Sequence, residues 1–440
     1  MTPARASDAA QARLAPPPLV VGIARTLRDA GFETWCVGGA VRDALLGYAH
    51  LDWDLATAAT PPQVRALFKR TVPVGIEFGT VGVLDADNTM HEVTTFRRDV
   101  KTDGRHAVVE FGASLDEDLA RRDFTINAIA YDPLGERVYD PHHGREDLAR
   151  RVVRAVGTPG DRMREDRLRA LRALRFAARF DFEIDPPTWR AVLDSAPHLG
   201  RLSRERVKQE IEKTLQQVGR VGRAMRLWRD SGAFASLVPA LANISEGTLL
   251  SLEAIPPPAN TRSDRAMQRL IALFAELSPR DAERALRDLR FSNKDVAWVG
   301  SVLRGWDALH SEMLVALTAY APPTDTVLRR WAGITGRTRA RSVWRLAAAR
   351  AAASAALGLP APDARVLASA YRRAMRVAFR DPVEVGDLAV DGHDLQSAGI
   401  VAGPSMKVVL SRLLDFVLED PARNVRDQLL ARAAAIVREL

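Results

Sequence analysis

The chain has a single cysteine in 440 residues. One thiol excludes an intrachain disulfide framework and a cysteine-rich zinc site. Apolar runs of 18 residues are absent, so no segment reads as a membrane span. No signal-peptide pattern opens the chain, and a cytoplasmic enzyme or binding protein is expected. Aromatics make up only 6% of the residues, and histidines number 8. What the chain has in excess is positive charge, with 63 Lys and Arg against 55 Asp and Glu, a formal net charge of +8. That balance favours a polyanionic partner.

At this length two to four domains are expected. The first 18 residues are rich in Ala and Pro and are expected to be flexible. The next 140 or so alternate helix and strand signals. LVVGIARTLRDAG reads as a helix stopped at Gly31, TWCVG as a strand, and VRDALLG as a helix after a glycine turn. FGTVGVLD and MHEVTTFR alternate like paired strands around Asp87-Asn88. After about residue 161 apolar residues recur every three or four positions almost to the end, as in DRLRALRALRFAARF and ERVKQEIEKTLQQV. The fold expected is α+β: a head with a mixed sheet and flanking helices over 19–160, then an all-helical neck (161–220), body (221–380) and tail (381–440). AIPPPANTRS at 254–263 and APPTDT from Ala321 read as loops, and no regular repeat suggests a solenoid.

Chemistry concentrates in CVGGAVRDALLGYAHLDWDLAT, residues 36–57. If LDWDLAT is a strand, Asp52 and Asp54 share one face while Trp53 and Leu55 face a core. Two carboxylates on one face repel unless a cation sits between them. Mg²⁺ takes a few carboxylates together with water and substrate phosphates, the supply that nucleotidyl transfer needs. The competing interpretation is a pair of solvated acids at a sheet edge. Gly38 and Gly39 let the backbone come close to a triphosphate. Arg42 is placed to reinforce that site and Asp43 to brace the turn.

In LARRDFTINAIAYDP, Arg121 and Arg122 offer fixed donors for phosphate or ribose oxygens. Asp123 is suited to orient them and Asn127 to bond sugar or backbone. The alternative is a charged turn before a buried strand. In REDRLRALRALRFAARF, a continuous helix sets Asp166 and Arg169 three apart and Glu165 and Arg169 four apart. A carboxylate accepts from an exocyclic amine and a guanidinium donates to a ring acceptor, so one Asp-Arg pair suits both cytosine and adenine. An ordinary solvated ion pair is the other reading. Arg172 and Arg175 continue a basic stripe that could meet phosphate. His142 and His143 are adjacent, diverge, and read as turn residues rather than ligands.

Together these strings resemble the class II tRNA nucleotidyltransferase and bacterial poly(A) polymerase family. GG-x-x-R-D matches Gly38, Gly39, Arg42 and Asp43, and D-x-D matches Asp52 and Asp54. The resemblance implies that both aspartates bind two catalytic Mg²⁺ ions, with Glu92 of HEVTTFR the best match for a third acidic strand residue. RRDFTINA resembles the motif that contacts ribose and triphosphate through Arg121, Arg122, Asp123 and Asn127. YDPHHGREDL resembles a structural motif centred on Gly144, Asp147 and Leu148. E-D-x-x-R matches Glu165, Asp166 and Arg169, implying a protein template for C and A in which Glu165 supports the reading pair. Ser203, Arg204, Glu205 and Arg206 open the last motif, with Ser203 as N-cap and Val207, Ile211 and Leu215 on its buried face; it is expected to hold the base-reading helix.

The same resemblance implies tRNA lacking some or all of its 3′ CCA as substrate and CTP and ATP as donors; from composition, neither membrane nor disulfide is expected. Asp103, Gly104, Arg105 and His106 match the flexible loop that lets the pocket switch from C to A. FSNKDVAWV (291–299) and residues 387–424 resemble body and tail segments, although Lys407 stands where that segment usually has glycine. Three alternatives stand beside CCA addition: a poly(A) polymerase, an enzyme that adds only the terminal A, and a non-catalytic RNA-binding protein.

Overall fold

The computed structural model describes residues 14–48, 52–85, 87–102, 107–255 and 262–439. The expected flexible loop at Asp103, Gly104, Arg105 and His106 lies outside them, as do residues 1–13 and 256–261 of the expected loop at 254–263. The chain divides into two compact units, Met1–Glu210 with Asp230–Leu237, and Ile211–Arg229 with Val238–Leu440.

In the first unit, α1 (Pro18–Asp29) opens on a proline at its first turn and buries Val20, Ile23, Ala24 and Leu27. Gly31 then turns the chain at φ 87° into β1 (Thr34–Val37). There follow α2 (Gly39–Leu45), β2 (Asp54–Thr57), α3 (Pro61–Leu67), β3 (Thr71–Gly75), β4 (Thr80–Leu84), β5 (Met90–Thr95), β6 (Arg97–Thr102) and β7 (Ala107–Phe111). Next come α4 (Leu115–Ala120), β8 (Ala130–Asp132), β9 (Arg137–Tyr139) and α5 (Gly144–Arg150). The unit continues through β10 (Val152–Val153), α6 (Pro159–Glu165), α7 (Leu168–Phe180), β11 (Glu183–Ile184) and α8 (Pro186–Ser195), and α9 (Arg204–Gln217) begins in it.

Seven strands form one mixed sheet in the order β3-β4-β5-β2-β1-β8-β9. Only the β2–β5 pair is parallel; the other neighbours run antiparallel. Strand alternation sends Leu55, Val81, Val83 and Val93 into the core, each almost fully buried. On the opposite face Val37, Ala56 and Ala130 pack with Leu115 and Leu119 of α4. The strands β6 and β7 pair separately. Ser114 and Glu117 close a capping box that fixes where α4 starts, with Ser114 N donating to Glu117 Oε2 at 2.8 Å.

The second unit is helical. Its longest helices are Asn293–Thr318 and Arg337–Ala356, and the latter buries Trp344 and Leu346, as a packed helix requires. Its last helices, Pro404–Glu419 and Arg426–Glu439, share a core with Val390 and Leu395. A mixed-sheet head followed by a long helical region is therefore the architecture of the chain. No helix among the described residues is long and apolar enough to cross a membrane.

Two local expectations are corrected. The strand carrying the acidic pair starts only at Asp54, so Asp52 and Trp53 precede it, Asp52 exposed and Trp53 buried. The stretch from Arg164 to Phe180 is not one helix either. α6 ends at Glu165, Asp166 is extended (φ −145°, ψ 105°), and α7 starts at Leu168. Asp166 Oδ1 accepts from the backbone N–H of Leu168 at 3.0 Å, a local bond that competes with helix continuation.

Candidate active site

The site is built where β1, β2 and β5 present their ends. Strand β1 runs into Gly38 at φ 76° and ψ −135°, a conformation that glycine reaches without strain, and the turn leads directly into α2. A Cβ on Gly38 would lie 3.1 Å from Arg122 Nη1, so the bare backbone is what lets this guanidinium sit against the turn. Arg122 is held by Asp118 Oδ2 at 2.9 Å, and Arg121 by Asp118 Oδ1 at 2.7 Å. Asp118 is therefore a buried carboxylate clamping both arginines. Burial pushes its pKa up, but the charges of Arg122 and Arg121 outweigh that and leave it lowered. The spacing i,i+3 and i,i+4 within LDEDLARRD was the available sequence signal for Asp118.

Arg42 is buried at 3% exposure. It donates through Nε to Asp43 Oδ1 at 2.7 Å and through Nη1 to Asn127 Oδ1. Its guanidinium lies over the rings of Phe176 (5.0 Å) and Phe180 (4.7 Å) of α7. Asp43 is also paired with Arg179 at 2.9 Å. Asn127 donates to Asp123 Oδ1 at 2.8 Å, and Arg172 donates to Asp123 Oδ2 at 2.7 Å. Burial raises the Asp123 carboxyl, yet Arg172 and the hydrogen bonds from Asn127 and Arg172 win, holding it down at about 2. The expected basic stripe turns inward: Arg172 meets Asp123, and Arg175 is buried on Glu210 at 2.7 Å.

The carboxylates are arranged in the opposite way. Asp54 lies beside Glu92, one step before the Leu55–Val93 pair of the parallel β2–β5 ladder. Burial, then repulsion from Glu92 and Asp52, raises the Asp54 carboxyl to about 7, only partly relieved by Arg122. No described residue donates a hydrogen bond to the Asp52, Asp54 or Glu92 side chain. The donor set is hard oxygen. Among the described residues no three His, Cys, Asp or Glu side chains converge as a ready-made metal cluster. Mg²⁺ is held by one or two carboxylates with water and substrate phosphates, so a repelling, unpaired carboxylate pair fits it. The lone thiol, Cys36, is buried and raised by burial and by Asp132 and Asp54, which makes it inert.

Where α6 breaks into α7, Arg169 Nη1 donates to Glu165 Oε2 at 2.7 Å and to the Arg162 carbonyl at 3.1 Å. Its Nη2 donates to the Arg121 carbonyl at 2.9 Å. Asp166 Oδ2 accepts from Arg206 Nη2 at 2.7 Å. Arg162, which sequence reasoning missed, donates to Glu165 Oε1 and to the Ala120 carbonyl. Just before α9, Ser203 Oγ accepts from Arg206 N at 3.4 Å, and Val207, Ile211 and Leu215 of the helix are buried. Arg204 donates to the Leu237 carbonyl at 3.2 Å, and Glu205 lies in the first turn of α9. Gly144 starts α5 where any Cβ would collide with the Thr125 carbonyl and Ile129. Asp147 accepts from Thr125 Oγ1 at 2.6 Å and pairs with Arg154, so this motif ties α5 to the RRDFTINA segment.

Residues 34–154 match the Poly A polymerase head domain, and residues 181–245 match the Probable RNA and SrmB- binding site of polymerase A. The CCA-adding enzyme of Geobacillus kaustophilus is 35% identical over 416 residues, spanning 93% of this chain and 95% of that protein. The chain belongs to the class II CCA-adding tRNA nucleotidyltransferase family. The CCA-adding enzyme of Limosilactobacillus reuteri is 32% identical over 421 residues. A crystal structure of the Bacillus stearothermophilus CCA-adding enzyme in complex with CTP superposes with a TM-score of 0.75 at 32% identity, covering 96% of this chain and 98% of that one. Membership extends over the helical region as well as the head.

Proposed function

We propose that the chain adds C, C and A in turn to tRNA 3′ ends from CTP and ATP, without a nucleic-acid template and with release of pyrophosphate. The observation that carries this reading is the contrast at the head site: Asp54, Asp52 and Glu92 form no ion pair with any described residue, while the surrounding arginines are fixed. Asp52 and Asp54, with Glu92 beside them, would hold Mg²⁺, which supplies a lowered pKa for the RNA 3′-hydroxyl and neutralises charge on the phosphates. The bare backbone of Gly38 and Gly39 and the guanidinium of Arg122 cradle the triphosphate. Arg121, Asp123 and Asn127 shape the ribose side. Arg42 and Asp43 act from beneath, since the donors of Arg42 are engaged inside the fold.

Asp166 and Arg169 read the base, with Glu165 positioning Arg169. Arg169 has five N–H groups. Three are committed to Glu165 and to the Arg162 and Arg121 carbonyls, so the Nε–H and one Nη2–H are left to donate to a base. Asp166 has further lone pairs to accept from an exocyclic amine. That pattern welcomes cytosine and adenine and opposes guanine and uracil. Residues 161–220 serve as the base-reading neck, and the basic helices beyond it meet tRNA phosphates.

The test is extension of tRNA transcripts ending before CCA, after C and after CC, with CTP, ATP or both. CCA addition gives C, C, then A, and stops. A long A tail would identify a poly(A) polymerase. Extension only of the transcript ending in CC would identify an enzyme restricted to the terminal A. No extension of any transcript would leave RNA binding alone.

A further inference from the structure

The same sheet face that carries Asp54 and Glu92 continues past them over β4 and β3. Its next residues are not charged. Gly82 of β4 lies opposite Glu92 of β5 and Val72 of β3. A Cβ on Gly82 would stand 2.7 Å from Met90 Sδ and 2.9 Å from Val74 Cγ2. Met90 and Val74 therefore close over the glycine as a low apolar shelf. Both are exposed, at 39% and 40%. Along the same face, Thr80 and Thr94 join their hydroxyls at 3.0 Å, giving the shelf a polar border.

Strand order sets the shelf on the far side of Asp54 from the glycine turn. Gly38, Gly39 and Arg122 lie on the β1 side of Asp54, whereas Glu92, Gly82 and Val74 lie on its β5–β4–β3 side. In-line displacement at phosphorus keeps the leaving group and the attacking oxygen on opposite sides. With the triphosphate on the β1 side, the attacking 3′-hydroxyl comes in from the β4 side. We propose that the shelf formed by Val74 and Met90 over Gly82 is the platform on which the 3′-terminal nucleotide of the acceptor RNA stacks. The inference rests on the nucleotidyl-transfer reading above and adds a site for the acceptor end.

The chemistry of the shelf suits that occupant. During CCA addition the acceptor's terminal nucleotide changes at every step. A platform carrying base-specific donors and acceptors would discriminate against its own product. Val74 and Met90 bear no conventional donor or strong acceptor, and the thioether is soft and adaptable. Every base has an apolar face to lay on such a surface. Base choice is then confined to the incoming nucleotide.

The experiment uses the full chain and a tRNA transcript ending before CCA with 4-thiouridine as its last nucleotide. Irradiation of the complex should cross-link the RNA to the tryptic peptide spanning 71–97, which contains both Val74 and Met90. Met90→Glu and Val74→Glu place an anion on the shelf. Each should lose the cross-link and raise KM for acceptor RNA by about tenfold or more, within the range of lost base stacking. CTP binding without RNA should be unchanged, which also shows that the variants fold. Met90→Leu should keep both the cross-link and the KM. A cross-link confined to other peptides, an unchanged KM for RNA, or weakened CTP binding in step with weakened RNA use overturns the platform. If the wild-type chain transfers CMP while the cross-link lies elsewhere, only the platform fails. If it neither binds nor extends the RNA, the nucleotidyl-transfer reading fails and the platform with it.

Discussion

Two regions of the head differ in how their charges are balanced. Around Asp123 every charge is answered within the protein: Arg172 and Asn127 saturate the carboxylate, and Arg42 sits between Asp43, Asn127 and two phenyl rings. At Asp54 no described residue pairs with the carboxylate, and only the charge of Arg122 partly offsets it. The carboxyl is raised to about 7 because burial and two neighbouring acids oppose its charge. A buried, satisfied network rigidifies, whereas repelling carboxylates hold free energy that a bound cation or a proton releases. On the proposed reading the saturated region is scaffold, and the unsaturated one is left for substrate and metal.

Asp54→Ala should break the comparison most sharply. Transfer of both CMP and AMP should fall at least ~10⁴-fold, on the order of 5.5 kcal/mol of barrier. The melting temperature should hold or rise, because the substitution removes repulsion and no internal ion pair. A large loss of stability would show that Asp54 belongs to the scaffold after all.

Asp123→Ala should behave in the reverse sense. It strands Arg172 and leaves the Asn127 amide without its acceptor, and breaking one partner from a buried pair costs roughly 3–5 kcal/mol. Urea unfolding of the first unit should register that loss, with activity falling because the scaffold loosens. A variant as stable as the parent but inactive would move Asp123 from scaffold to substrate contact.

How much of this could be read beforehand depends on the range of the interactions. Strand and helix alternation in the head and the glycine turn were legible because each is a local pattern, whereas the strand expected to carry both Asp52 and Asp54 starts only at Asp54. Ser203 and the buried face of α9 were legible too. The break at Asp166 was hidden, because apolar periodicity continues straight across it and only its Asx bond to Leu168 and its pairing with Arg206, forty residues on, reveal the extended backbone. The inward turn of Arg172 and Arg175 was hidden for the same reason. Their partners Asp123 and Glu210 lie 49 and 35 residues away in sequence, and no spacing rule reaches that far.

The Asp123 pair also fixes a pH dependence. Its folded pKa of about 2 is below the unfolded value of about 3.9, so its stabilisation is fully present above the unfolded value and disappears as pH falls through the folded one. The shift corresponds to about 2.5 kcal/mol. The stability gap between the parent and Asp123→Asn should therefore be constant near neutrality and shrink between about pH 4 and pH 2. A gap that widens on acidification would reverse the assigned direction.

The smallest effect separates base reading from scaffold within a single arginine. Arg169 is anchored through three donors to Glu165 and two backbone carbonyls, so it has features of both regions. Arg169→Ala should leave metal binding intact and narrow the preference for CTP and ATP over UTP and GTP by roughly 1–3 kcal/mol in kcat/KM. Glu165→Gln keeps a hydrogen-bond acceptor for Nη1 but removes the charge, so selectivity should loosen less than in Arg169→Ala. If Arg169→Ala lowers kcat/KM equally for all four nucleotides, the guanidinium is scaffold alone. Template reading then lies elsewhere on the α6–α7 break, with Asp166 and its Arg206 partner the next residues to test.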